Sequence, residues 1–74
     1  MKKYKLVRED INNSNQVDIS KSDNIHYLNK KMEDCWLKEL EEVTKTNPEV
    51  ERCYFVNEYA RISGVARWWI IENK

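Results

Sequence analysis

The side chains in this sequence that are best suited to catalysis or metal binding are one histidine and two cysteines, His26, Cys35 and Cys53. A nucleophilic site needs a Ser or Cys whose proton passes to an adjacent base, and His26 has no such partner at a recognisable spacing. Structural zinc needs four Cys or His ligands, commonly as closely spaced pairs, whereas this chain offers three candidates without a pair. The sequence therefore predicts no metal site, and we expect His26 to lie on the surface.

The other groups that could take part in chemistry are carboxylates and a single glycine. The segments MEDC (residues 32–35) and KELEEV (residues 38–43) supply acids, but their spacing does not distinguish a general acid–base pair from a charged helix face. Gly64 is the only glycine, which excludes a glycine-rich loop for nucleotide phosphates. We predict no catalytic residue and no cofactor, and we interpret the protein as a non-enzyme.

Length and composition indicate a small folded protein. The 74 residues include 13 basic and 13 acidic side chains, and 41% are hydrophobic, which is typical of one small globular domain over residues 1–74. Balanced charge disfavours non-specific binding to polyanions. Because no apolar run approaches the ~20 residues of a membrane span and no signal-peptide core is present, we expect a cytoplasmic protein, no membrane partner and cysteines present as thiols. Abundant Lys, Asn, Ile and Glu resemble chains from AT-rich bacterial or phage genomes.

The N-terminal residues predict one strand and a possible hairpin. Residues 3–9 are rich in β-formers, and we expect them to form an edge strand. Residues 10–15 contain a cluster of Asn and Ser that indicates a turn or loop. Residues 16–20 form either the returning strand of a hairpin or part of a long loop.

From Ser20 onward the spacing of apolar residues predicts a helix. Ser20 and Asp23 match a capping box, so we expect the helix to begin there, and Pro48 marks its end. Its apolar face comprises residues at steps of three and four: Ile25, Leu28, Met32, Cys35, Trp36, Leu40 and Val43. The opposite face is charged and predicted to be solvated, with Lys30, Asp34, Lys38, Glu41, Glu42 and Lys45.

Glu39 and Asn29 interrupt the apolar face of this helix. A buried carboxylate needs a partner, since burying it unpaired is costly. Arg67 is the candidate partner of Glu39, with Arg52 the weaker choice. Alternatively, Glu39 lies where the helix overhangs the sheet and remains hydrated.

The segment after Pro48 allows two interpretations. Asn47, Pro48 and Glu49 could cap a second helix that ends at Gly64. The runs CYFV and WWII, however, are β-branched and aromatic, and Ser63 and Gly64 lie between them, which favours a hairpin. The sequence therefore predicts a small α+β fold, in ββαββ or βαββ order, with one helix packed on one face of an antiparallel sheet.

A two-residue turn at Ser63 and Gly64 would determine which side chains share a face of that hairpin. It pairs Ile62 with Val65 and Tyr59 with Trp68, and a register shift of one residue would exchange the two faces. The face predicted to pack on the helix carries Val56, Ile62, Val65, Trp69 and Ile71. The uncovered face carries the predicted partner-binding residues, which are Phe55, Tyr59, Arg61, Trp68 and Ile70.

Exposed Tyr, Trp and Phe beside an Arg are typical of interface anchors. We therefore predict a protein-interaction module, a small regulator or inhibitor of the phage or mobile-element kind, that acts sterically on a larger protein partner or pairs with itself as a homodimer. The N-terminal segment could instead cover this face. Binding of single-stranded nucleic acid by the aromatics and arginines is the alternative function, which Glu51, Glu58 and Glu72 of the same hairpin disfavour.

Overall fold

The computed structural model describes residues 2–48 and 53–73, and these form a five-stranded sheet with one helix. In chain order the elements are β1 (Tyr4–Asp10), β2 (Gln16–Ser22), α1 (Ile25–Thr46), β3 (Tyr54–Val56), β4 (Tyr59–Ile62) and β5 (Ala66–Glu72). The strands are antiparallel in the order β2-β1-β5-β4-β3. The predicted α+β class is confirmed, although the element order is ββαβββ.

The N-terminal strands form the predicted hairpin, but β1 is not an edge strand. The loop between them is held by side chains, because Asp10 and Asn13 each accept a hydrogen bond from the backbone N–H two residues later, at 2.9 and 3.0 Å. Strand β5 pairs with β1 along its whole length and leaves β2 at the edge. The sequence could not show this, because the pairing joins residues more than 50 positions apart.

Helix α1 begins later than the capping box predicted. Strand β2 remains paired with β1 as far as Ser22, opposite Tyr4, so Ser20 cannot cap a helix. Asn24 is the N-cap, and its Oδ1 accepts the N–H groups of His26 and Tyr27 at 2.9 and 3.3 Å. The helix ends before Asn47 and Pro48, as predicted.

The apolar face of α1 packs on the sheet as predicted. Leu28 and Met32 are fully buried, and Ile25, Cys35, Trp36, Leu40 and Val43 pack against the core. The sheet contributes Leu6, Ala60, Ile62, Ala66, Trp68 and Ile70. Trp36 also donates from Nε1 to the Arg61 carbonyl at 3.0 Å, which joins the helix to β4.

Residues 54–62 form two short strands instead of one strand or a second helix. Asn57 and Glu58 make a two-residue turn, so that Val56 pairs with Tyr59. Glu58 has a positive φ of 68°, and its N–H donates to Oδ1 of Asn29 at 2.7 Å. Asn29 therefore interrupts the apolar face of α1 because it binds this turn. Residues 49–52 lie outside the described residues, and they include Glu49, one of the residues that could have capped a second helix.

The turn at Gly64 shifts the predicted register of the last hairpin by one residue. The Val65 N–H donates to the Ile62 carbonyl at 3.0 Å, and φ is positive at Gly64, 76°, but not at Ser63. This pattern matches a type II turn, whereas a two-residue hairpin loop needs a positive φ at its first central residue. Val65 consequently stays in the loop and Ile62 pairs with Ala66. The faces of β5 are exchanged relative to the prediction.

Glu39 is paired with Arg8, not with Arg67. The Arg8 guanidinium donates from both Nε and Nη2 to the two Glu39 carboxylate oxygens, the Nε contact at 3.1 Å. The hydrogen bond to Glu39 raises the pKa of Arg8. The Arg8 guanidinium carbon lies 5.6 Å from the centre of the Trp68 ring, so this ion pair closes one end of the core. Arg52, the other candidate, lies outside the described residues.

Two further expectations were that the cysteines are thiols and that no segment spans a membrane. Cys35 and Cys53 are both partly buried and are not joined by a disulfide, as predicted. Among residues 2–48 and 53–73, no helix is both long and apolar enough to span a membrane.

Candidate protein-interaction surface

The helix covers one face of the sheet, and the side chains on the opposite face form a second surface, here called the outer face. Successive residues of a strand point to opposite faces. Because Trp68, Ile70, Ala60, Ile62 and Leu6 lie in the core under α1, their strand neighbours point outward. The outer face comprises Lys5, Val7, Glu9, Gln16, Asp18, Lys21, Tyr54, Val56, Tyr59, Arg61, Arg67, Trp69 and Ile71.

A row of mostly apolar side chains crosses the middle of the outer face. In order across the five strands it consists of Val56, Tyr59, Trp69, Val7 and Asp18, and we call it the central row. Val7 is almost completely buried although it faces away from the helix. Trp69, on β5, occupies the middle position of the central row.

Three apolar side chains of the outer face, in or beside the central row, are exposed. Val56 is 53% exposed, Tyr54 43% and Ile71 42%. Tyr54 stacks on Tyr59 with 5.8 Å between ring centres, so the two rings form one platform. The largest apolar patch on a typical monomer is about 300–600 Å² and is often a functional surface.

A second row beside the central row carries the charged groups. It consists of Tyr54, Arg61, Arg67, Glu9 and Gln16, and we call it the arginine row. Glu9 accepts hydrogen bonds from Gln16 Nε2 at 3.1 Å and from Arg67 Nε at 2.6 Å, and these contacts lower its pKa. The hydrogen bond to Glu9 in turn raises the pKa of Arg67. Arg67 also lies over the Trp69 ring, 5.0 Å from its centre, which fixes the indole in place.

The predicted partner-binding residues do not share one face. Tyr59 and Arg61 lie on the outer face, as predicted, but Phe55, Trp68 and Ile70 point toward the helix. Trp68 is 1% exposed, Ile70 is buried, and Phe55 packs against the core with its ring 5.8 Å from Trp36. The placement of these three is wrong because the turn at Gly64 and the turn at residues 57–58 each change the register.

On strands β3 and β5, sequence reasoning missed five outer-face residues, which are Tyr54, Val56, Arg67, Trp69 and Ile71. Val56, Trp69 and Ile71 were predicted to face the helix. One signal could have corrected β3: Asn57 is a turn-forming residue inside a segment of 13 residues, 50–62, that is long for one strand. No residue pattern distinguishes the faces of WWII, since both alternating sets are apolar.

The described residues contain no group of three or more His, Cys, Asp or Glu side chains that could hold a metal ion. His26 is exposed, as predicted. Comparisons of the chain with protein-family models, with curated proteins and with solved structures find no match. The outer face and its chemistry are therefore the features from which a function can be inferred.

Proposed function

We propose that this protein is a cytoplasmic protein-interaction module that binds a larger protein through its outer face and acts sterically, without catalysis. The observation that carries the proposal is the exposed platform of Tyr54, Tyr59 and Trp69 with Val56 and Ile71, on a sheet whose other face already packs a complete core under α1. Rigid aromatic side chains give large contact area at small entropic cost, which makes them frequent anchors of interfaces. A role as a small regulator or inhibitor of phage or mobile-element type agrees with the composition.

The size of the apolar surface favours a larger partner over a second copy. From the exposed fractions of Tyr54, Val56 and Ile71, together with partly exposed Tyr59 and Trp69, the outer face offers roughly 300–400 Å² of apolar area. A stable interface buries about 800 Å² on each partner. The apolar residues would therefore form only the centre of the interface. A larger protein can also contact the polar residues around them, beyond the sheet, and so bury the remaining area.

Single-stranded nucleic acid is the second candidate, because stacked aromatic rings beside an arginine can hold bases. The stack of Tyr54 on Tyr59 next to Arg61 is the observation that favours it. The charges of the outer face oppose it, since Glu9 neutralises Arg67 and Asp18 lies 3.6 Å from Lys5 Nζ. Nucleic-acid affinity relies on several phosphate contacts made by basic side chains.

Two matched double variants, each built on a substituted valine, test the proposal. Val56 on the outer face and Val17 on β2, outside that face, are exposed to the same degree, 53% and 54%. Val56→Ser, combined with Ile71→Ser, removes apolar contact area from the outer face, whereas Val17→Ser combined with Leu37→Ser removes a similar amount from β2 and α1.

The assay is affinity capture from lysate of the cells that produce the protein, with bound proteins quantified by mass spectrometry. We expect the wild type and the Val17/Leu37 variant to retain the same proteins and the Val56/Ile71 variant to lose them. Equal retention by both variants would contradict the proposal. Light scattering of the wild type decides between a monomer and the homodimer, and a labelled 12-nucleotide single strand tests the second candidate through the salt dependence of binding.

A further inference from the structure

Arg61 is a positive charge of the outer face that no acid of that face neutralises. Arg61 on β4 lies directly opposite Arg67 on β5, and like charges directly opposite each other in a sheet are destabilising. Glu9 binds Arg67, but within the described part of the chain the Arg61 side chain has neither an ion pair nor a hydrogen bond. The guanidinium groups of Arg61 and Arg67 therefore have only one carboxylate between them, that of Glu9.

The surroundings of Arg61 are those of a recognition site for a single anion. Tyr54 lies opposite Arg61 on β3, and the central row runs beside both. Binding of a partner on the central row would exclude water from the guanidinium, which strengthens its attraction for an anion. A planar guanidinium also matches a carboxylate through two parallel hydrogen bonds.

We propose that the protein partner presents an Asp or Glu side chain flanked by apolar residues, with the carboxylate bound by Arg61 and the apolar neighbours covering Tyr59 and Trp69. This inference rests on the proposed function, for which it names the chemistry of the partner. The partner's carboxylate supplies the counter-ion that the arginine row lacks.

The same charges argue against the other possible occupants. The outer face of a second copy offers only Glu9 and Asp18 as acids, and both are already paired, with Arg67 and Lys5. A nucleic-acid strand presents a phosphate at every nucleotide, whereas this surface has one unpaired arginine, Arg61, beside the central row. One carboxylate among apolar side chains fits that arrangement best.

The test begins with a display library of random 12-residue peptides selected on the immobilised 74-residue protein. We expect enriched peptides to contain Asp or Glu next to Leu, Ile, Val or aromatic residues. One such peptide and its twin, in which the acid is replaced by Asn or Gln, are then synthesised and titrated by calorimetry. We expect the wild type to bind the acidic peptide about tenfold more tightly than the amide twin.

Arg61→Gln should reduce that tenfold preference to less than twofold, because the preference comes from the guanidinium. Lys38→Gln is the matched control, since it removes the same charge from the exposed side of α1, and it should keep the tenfold preference. The melting temperature of Arg61→Gln should equal or exceed that of the wild type, because the substitution relieves the repulsion from Arg67. A fall of several degrees would overturn the inference by showing that Arg61 is bonded within the fold.

The outcomes separate the inference from the proposed function. Peptides that bind the wild type, are lost in the Val56/Ile71 variant and show no preference for acids would overturn the inference and leave the proposed function standing. Failure to select any peptide, or binding that the Val56/Ile71 variant retains, would contradict both. Arg61-dependent binding of a single-stranded oligonucleotide, or an Arg61-dependent dimer in light scattering, would overturn the inference by identifying a different occupant.

Discussion

The two adjacent tryptophans should respond very differently to truncation, because they lie on opposite faces of β5. Trp68 is 1% exposed within the core, and Trp69 is partly exposed on the outer face. Deleting a buried Trp side chain costs about 3–5 kcal/mol. A domain of this length has a free energy of unfolding of about 4–11 kcal/mol, so Trp68→Ala removes a large part of it. For Trp69→Ala we expect a loss of about 1–2 kcal/mol, since much less contact is removed.

Urea denaturation followed by far-ultraviolet circular dichroism measures both losses without relying on tryptophan fluorescence. Trp68→Phe is the second variant at the buried position; it keeps an apolar ring, should remain folded and should lose about 1–2 kcal/mol. Trp69→Phe is its control and should lose less. A larger loss from Trp69→Ala than from Trp68→Ala would refute the register of β5 and with it the composition of the outer face.

Substitutions at three further positions test how the sheet and its turns are held. Asn29→Ala should lose about 1–2 kcal/mol of stability in the same denaturation assay, because it leaves the N–H of the β3–β4 turn without its acceptor. Gly64→Ala should lose about 1 kcal/mol, since alanine is strained at a φ of 76° although its Cβ would meet no atom within 4 Å, and Gly64→Asn should lose less. Hydrogen bonds from Gln16 and Arg67 lower the pKa of Glu9, so their stabilisation is present above the ordinary glutamate pKa of about 4.3 and is lost as the pH falls below it. The melting temperature of Glu9→Gln should accordingly fall less than that of the wild type between pH 6 and pH 3.

The sequence predicted the features that depend on local patterns. The α+β class, the apolar face of α1 from Ile25 to Val43 and the end of the helix before Pro48 are confirmed, and the loop predicted at residues 10–15 is present at residues 11–15. Each follows from periodicity or from the chemistry of neighbouring residues. The returning strand at residues 16–20 is confirmed as part of β2, which extends to Ser22.

The features that the sequence did not predict depend on long-range pairing or on a single dihedral angle. Glu39 is bound by Arg8, 31 residues away, which no local pattern identifies. The faces of β5 depend on the φ of Ser63 and Gly64, and a change of one residue there moves Trp68 and Ile70 from the outer face to the core. An uncovered face with aromatic residues and arginine is present, but three of the five residues predicted to lie on it, Phe55, Trp68 and Ile70, point toward the helix.

The indole N–H signals of the three tryptophans provide the most direct test that the outer face is the binding surface. Trp36 Nε1 is bonded to the Arg61 carbonyl, and Trp68 Nε1 is buried, so both are shielded from a partner, whereas Trp69 lies in the central row. In a ¹H–¹⁵N spectrum recorded during titration with a captured partner or a selected peptide, we expect the largest shift for the Trp69 indole. A shift confined to Trp36 and Trp68, with Trp69 unchanged, would contradict the account.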